Sequence, residues 1–151
     1  MPKNIFKLIL SIVICLAAGG VGSLFITSSI PDWYQTLNKP FFSPPNWVFG
    51  PVWTILYIMM GLSLYLVWTK KKVPTIFWIQ LILNVAWSII FFGMKNPALA
   101  LVEIVALWIA IFITIKSFYK INRLAGNLLI PYLLWVSFAS FLNLSIVILN
   151  P

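Results

Sequence analysis

The chain has 151 residues, of which 62% are hydrophobic, with ten basic and two acidic residues, no histidine and a formal net charge of +8. A soluble domain is roughly 25% charged, against 8% here, and a water-exposed fold would leave far too much apolar surface uncovered. Without histidine there is no imidazole base and no ordinary zinc or haem-histidine site, and two isolated carboxylates, Asp32 and Glu103, give no acid–base pair.

The apolar runs are continuous rather than alternating, so the fold class is an all-α integral membrane protein, not a barrel. A membrane helix needs about 20 apolar residues. Five stretches qualify, at 8–30, 47–69, 75–94, 97–115 and 124–149, and together they make residues 1–151 a single membrane domain, a five-transmembrane-helix bundle. The first run follows a basic start but outlasts the roughly 7–15 apolar residues of a signal peptide, so it reads as a retained span. It carries a small-residue seam, Cys15, Ala18, Gly19, Gly22 and Ser23, suited to close helix contact within the chain or in a homodimer. Cys15 is the only cysteine and forms no disulfide framework within one chain.

Residues 31–46 form the one long connection. It contains "NKPFFSPPN", stiffened by prolines and rich in rings. In the second span Trp53 and Tyr57 are i and i+4 and share a face, roughly 9 and 15 Å inward at 1.5 Å per residue. Asn46 is placed to cap this helix. In the third span Asn84 and Trp87 share a face at comparable depth, and a carboxamide in hydrocarbon must point inward to a partner. Asn96 precedes Pro97 as a capping amide before a first-turn proline.

Glu103, about 9 Å into the fourth span, is the only acidic residue within a span. An intramembrane carboxyl is a functional hypothesis by default, and it reads either as a hydrogen bond to a neighbouring helix or as a proton-coupling group. In the fifth span Pro131 is expected to kink the helix, and Trp135, Ala139 and Leu142 form a stripe, with Asn143 nearby, in its central-to-outer half. Trp68, Trp78 and Trp108 read as interfacial belt or packing. From spacing alone the convergent rings are either the walls of a cavity or plain core.

Eight basic residues, Lys3, Lys7, Lys70, Lys71, Lys72, Lys116, Lys120 and Arg123, fall on one side of this arrangement, and only Lys39 and Lys95 on the other. The positive-inside rule then puts the N-terminus in the cytoplasm, with the 31–46 loop and the C-terminus on the opposite side. The charge suits anionic lipid headgroups and gives no reason to expect nucleic acid.

The stretches "WYQTLNKPFFSPPNWVFGPVWTILY", "LNVAWSIIFFG", "NPALALVEIVALW" and "RLAGNLLIPYLLWVSFASFLN" resemble the TspO/MBR family, which includes tryptophan-rich sensory proteins and the mitochondrial translocator proteins. The resemblance covers roughly residues 33–143, in family order. It implies a five-helix bundle, often dimeric, that binds porphyrin-like tetrapyrroles or other apolar aromatic small molecules as ligands; with no histidine in the chain, no required cofactor, no metal and no catalytic residue are expected. Carried over by position, the pocket comprises Trp47, Phe49, Trp53 and Tyr57 from the second helix and Asn84 and Trp87 from the third. Trp135, Ala139, Leu142 and Asn143 complete it from the fifth. The 31–46 loop would fold over it as a lid, bringing Trp33, Lys39, Pro40, Phe41 and Phe42, with Lys39 and Lys95 available to propionates.

This sequence departs from the family pattern in having Phe41 and Phe42 where many members have a tryptophan, Ser88 where many have a proline, and no sterol-recognition segment after Asn143. The expected function is a membrane receptor or carrier for tetrapyrroles. The rival readings are a proton-coupled exporter of cationic aromatic compounds using Glu103 and an enzyme of oxidative porphyrin breakdown.

Overall fold

The computed structural model describes residues 2–30 and 32–151; Met1 and Pro31, the first residues of the expected domain and of the expected lid, lie outside them. Helix α1 (Pro2–Ser29) leads through the lid segment, with its short 3-10 turn Tyr34–Thr36, into α2 (Asn46–Trp68). Helix α3 (Thr75–Ser88) ends in a π-helical turn, Ile89–Gly93, before α4 (Pro97–Ile121), and a broken last span follows as α5 (Arg123–Leu128) and α6 (Ile130–Leu149). Five segments are long and apolar enough to cross a membrane: Asn4–Ile26, Asn46–Trp68, Thr75–Gly93, Pro97–Ile121 and Arg123–Leu149.

Lipid tails offer helices no hydrophobic reason to associate, so close packing and interhelical hydrogen bonds must hold the bundle. Both are visible. Helix α1 packs on α2 and α3, and α4 packs on α3 and α6. At the α1–α2 crossing, a Cβ added to Gly61 would stand 2.7 Å from the Ile12 Cα, so only glycine permits this approach. The small-residue seam of α1 therefore has partners in its own chain: Cys15 is fully buried and Gly19 abuts the Tyr57 ring. On the other side of α2, Ser63 Oγ donates to the Ala125 carbonyl at 2.7 Å, tying in α5.

Helix ends depart from expectation in four places. Asn96 caps α4 as expected, its side chain accepting from Leu99 N at 3.1 Å. Asn46 does not cap α2; it is the first helical residue, and Pro45 occupies the cap position without a side-chain bond. Helix α4 does not stop at residue 115 but runs to Ile121, because lysine stems extend a helix beyond its apolar stretch while the ammonium stays polar; Lys116 Nζ lies 5.6 Å from the Phe112 ring centroid. The fifth span is not one bent helix over 124–149. It breaks at Leu129, with Pro131 in the first turn of α6 where its missing N–H leaves no gap.

The fourth departure is the π turn. The Met94 N–H reaches the Ile89 carbonyl at 2.8 Å, and the Asn96 N–H reaches Ile90 at 3.1 Å. Lys95, at φ 53°, then turns the chain. A π turn widens the helix locally and is frequent near functional sites. Here it lets two consecutive rings, Phe91 and Phe92, both be buried.

Candidate functional site

Phe91 and Phe92 are the foundation of the lid. Trp33 stands edge-on to Phe91 at 5.5 Å, and Tyr34 lies 5.6 Å from Phe92. Tyr34 is only 2% exposed, and burial pushes its phenol above the ordinary value, so it remains neutral. Behind it, Lys39 Nζ donates to the Tyr34 carbonyl at 3.0 Å and sits 4.6 Å from the Tyr34 ring centroid. Asn38 and Asn150 then clasp each other: Asn38 N–H donates to Asn150 Oδ1 at 3.0 Å, and Asn150 Nδ2 donates to the Asn38 carbonyl at 2.8 Å. The lid is thus fastened to the end of the last helix, and the two meet at the same end of the bundle.

Beneath the lid lies a narrow cavity walled by rings from α2, α3, the π turn and α6, with only about 30 Å³ of free space between them, so the rings must part to take a small molecule. Phe49 and Trp53 come from α2, Trp87 from α3, Phe91 from the π turn, and Trp135 and Phe138 from α6. The rings meet mostly edge to face: Trp53 to Trp135 at 6.4 Å and 89°, and Phe49 to Trp135 at 6.1 Å and 68°. Trp87 instead stacks on Phe91 at 5.0 Å and 27°. Aromatic pairs favour edge-to-face and offset stacking because of their quadrupoles, and these contacts hold the wall together.

No charged residue lines this cavity. Its polar points are few. Trp87 Nε1 donates to Asn143 Oδ1 at 3.0 Å, and Asn143 Nδ2 donates to the Pro97 carbonyl at 2.9 Å, which fixes one indole against two helices. Trp135 Nε1 is buried without a hydrogen-bond partner among the described residues. The lining is thus almost wholly apolar, with the Trp135 indole N–H as its unspent donor.

A layer deeper, the Tyr57 hydroxyl donates to Asn84 Oδ1, Asn84 Nδ2 to the Tyr132 oxygen at 2.7 Å, and the Tyr132 hydroxyl to Gln80 Oε1 at 2.9 Å. This chain links α2, α3 and α6 and forms the floor of the site.

A sequence profile of the TspO/MBR family matches residues 11–149. The chain belongs to the TspO/MBR family. It is 48% identical to the tryptophan-rich protein TspO of Archaeoglobus fulgidus, over 97% of this chain and 99% of that one. To the protein of the same name from Chlorobaculum tepidum it is 49% identical over the whole of both chains. With the human translocator protein it shares 42% identity over 82% of this chain and 78% of that protein. A multi-pass integral membrane protein follows from this membership and the five apolar helices together.

Within this TspO/MBR bundle, seven of the ten expected pocket residues do line the cavity: Phe49, Trp53, Trp87, Trp135, Ala139, Leu142 and Asn143. Tyr57 lines a neighbouring groove instead. Asn84 lines neither, because both its polar ends are spent on Tyr57 and Tyr132. Trp47 points away and is 75% exposed, at the very start of α2. Of the lid residues, Trp33 braces the π turn from outside the cavity, Phe41 is fully exposed, and Phe42 packs on Phe138 at 6.1 Å. Pro40 accepts from the Ser43 N–H at 3.0 Å in a tight turn.

Tyr34, Phe91, Phe92 and Phe138 are cavity residues that sequence reasoning missed. Glu103 does not make the expected bond to a neighbouring helix: both its carboxylate oxygens are buried without a partner among the described residues.

Proposed function

We propose that this protein is a membrane receptor or carrier that binds porphyrin-like tetrapyrroles in the ring-walled cavity beneath the lid. One observation supports this above the others: seven aromatic side chains from α2, α3, the π turn and α6 converge on one uncharged pocket. The macrocycle lies among Trp53, Trp87 and Trp135, held by shape and stacking, with no metal ligation and no catalytic residue. Acidic substituents point towards the roof, where Lys39 exchanges the Tyr34 carbonyl for a propionate. The relatives named as translocator and sensory proteins fit a binding or transport role rather than an enzymatic one. In this reading the N-terminus is cytoplasmic and the lid and C-terminus face the opposite compartment.

The test is quenching of tryptophan fluorescence by protoporphyrin IX in detergent. A Trp53→Ala/Trp135→Ala double variant loses at least about tenfold in affinity, since each ring removed forfeits stacking and burial of roughly 1 kcal/mol or more. Unchanged affinity would remove the pocket assignment.

A second reading has one specific observation behind it. The partnerless Glu103 carboxyl suits a proton-coupled exporter of cationic aromatic compounds, because a carboxyl already hydrogen-bonded to the protein has less freedom to exchange its proton. Under that reading Glu103→Gln abolishes pH-driven dye uptake into proteoliposomes, and retained uptake rejects it.

A further inference from the structure

The cavity has a fastened roof, and a separate groove runs along its side. Between α1 and α2, on the lid side of the Gly61 crossing, runs a groove of about 280 Å³. It adjoins the ring-walled cavity: Ile26, Phe49 and Trp53 line both spaces and form the partition between them. Its outer edges are Gly20, Gly50 and Thr54, all exposed at the depth of the membrane spans. A Cβ added to Gly20 or Gly50 would meet nothing within 4 Å.

The walls offer little resistance to an apolar molecule. The Thr54 hydroxyl donates to its own helix at the Gly50 carbonyl at 2.8 Å, and Ser23 does the same at Gly20, so neither donor is left to be desolvated. The exception lies at the inner end. Ser88 is 7% exposed, lines the groove, and its Oγ is 3.1 Å from where a Gly22 Cβ would stand. Its hydroxyl has no hydrogen-bond partner among the described residues. The hydroxyl is therefore free to hydrogen-bond a polar edge of a passing ligand.

The roof, by contrast, must be dismantled before anything passes it. The Asn38–Asn150 clasp, the Lys39 ammonium on two carbonyls and the Tyr34 ring against Phe91 and Phe92 all have to part.

We propose that the ligand enters and leaves the cavity sideways, from the hydrocarbon of the bilayer through the groove between α1 and α2, and not from above through the lid. The proposal rests on the reading of the cavity as a tetrapyrrole site and adds its route: the protein samples porphyrin already dissolved in the membrane. Ser88 acts as a polar waypoint between lipid and cavity.

Stopped-flow quenching separates the two routes, with protein reconstituted in phosphatidylcholine vesicles and protoporphyrin IX supplied in a second vesicle population. Gly20→Leu/Gly50→Leu obstructs the groove, and each new Cβ has room to stand. It slows association by about tenfold or more and dissociation by the same factor, leaving equilibrium affinity alone, because a blocked path raises one barrier for both directions. An Asn38→Cys/Asn150→Cys protein, its lid closed by a short thiol cross-linker, binds within about twofold of the uncross-linked rate.

Wild-type rates in the filled-groove variant would overturn the route, as would a cross-linked lid that slows binding tenfold. A filled-groove variant that loses equilibrium affinity would also overturn it, making the groove part of the binding site. Failure of the tetrapyrrole reading looks different: wild-type protein then shows no saturable quenching at equilibrium, and the route falls with it.

Discussion

The tightest contact between α1 and the site is Gly19 against Tyr57, and a single methyl group tests it. In Gly19→Ala the new Cβ would lie 2.5 and 2.6 Å from Tyr57 Cε2 and Cδ2, where about 3.5 Å or more is needed between carbons. The ring must therefore move by roughly 1 Å, yet its hydroxyl is held by Asn84 and its face by Trp53, stacked at 5.6 Å and 27°. Overpacking of this kind costs about 1–3 kcal/mol, and straining the buried hydrogen bond adds roughly 1 kcal/mol. The expected loss is about 2–4 kcal/mol, or roughly 5–15 °C in melting temperature for a chain of this size.

The protein supplies its own reporter. Cys15 is the only cysteine and fully buried, so a fluorogenic maleimide labels it only as the bundle opens on heating in detergent. Gly20→Ala is the matched control: the same chemical change one residue on, with nothing within 4 Å, gains about 1 kcal/mol of helix propensity. Equal melting of the two variants would show that α1 does not rest on Tyr57 as described.

Two further outcomes follow from the polar interior. Asn84→Leu strands the Tyr57 hydroxyl and lowers stability by about 1–3 kcal/mol; adding Tyr57→Phe recovers part of that loss, which the same maleimide melt measures, and no recovery would deny the bond. Asn143→Leu frees the Trp87 indole from its anchor and weakens protoporphyrin quenching by about tenfold, near 1.4 kcal/mol, whereas unchanged quenching would mean that stacking on Phe91 alone holds Trp87 in place.

The membrane fold was legible because hydropathy and span length act over about 20 residues and leave few alternatives. So was the Asn96 cap, a purely local device. Depth and shared faces brought Trp53, Trp87 and Trp135 together correctly. What they left open is which partners each side chain finds: Asn84 shares the face of Trp87, but one turn deeper it is spent on Tyr57 and Tyr132 in the floor. Trp47 shares a face with no deeper ring and precedes the first full turn of α2, so position alone carried it towards the pocket while the helix end turned it outward.

The lid was harder. Segment 31–46 has no periodicity to assign its rings, and Tyr34 rather than Phe41 is the one that turns in, because the 3-10 turn and the Lys39 contacts hold it there. Phe91 and Phe92 depend on the π turn. No propensity announces that turn; it follows from tertiary packing against Trp33 and Tyr34.

The pairing of Asn38 with Asn150 has a practical side. An affinity handle or fluorescent protein fused directly behind Pro151 hangs from the hinge of the roof, so its tug is felt at Tyr34. A handle at the opposite end of the bundle, ahead of α1, leaves that joint undisturbed, and binding data gathered with the two placements should be compared before either is read as the behaviour of the native chain.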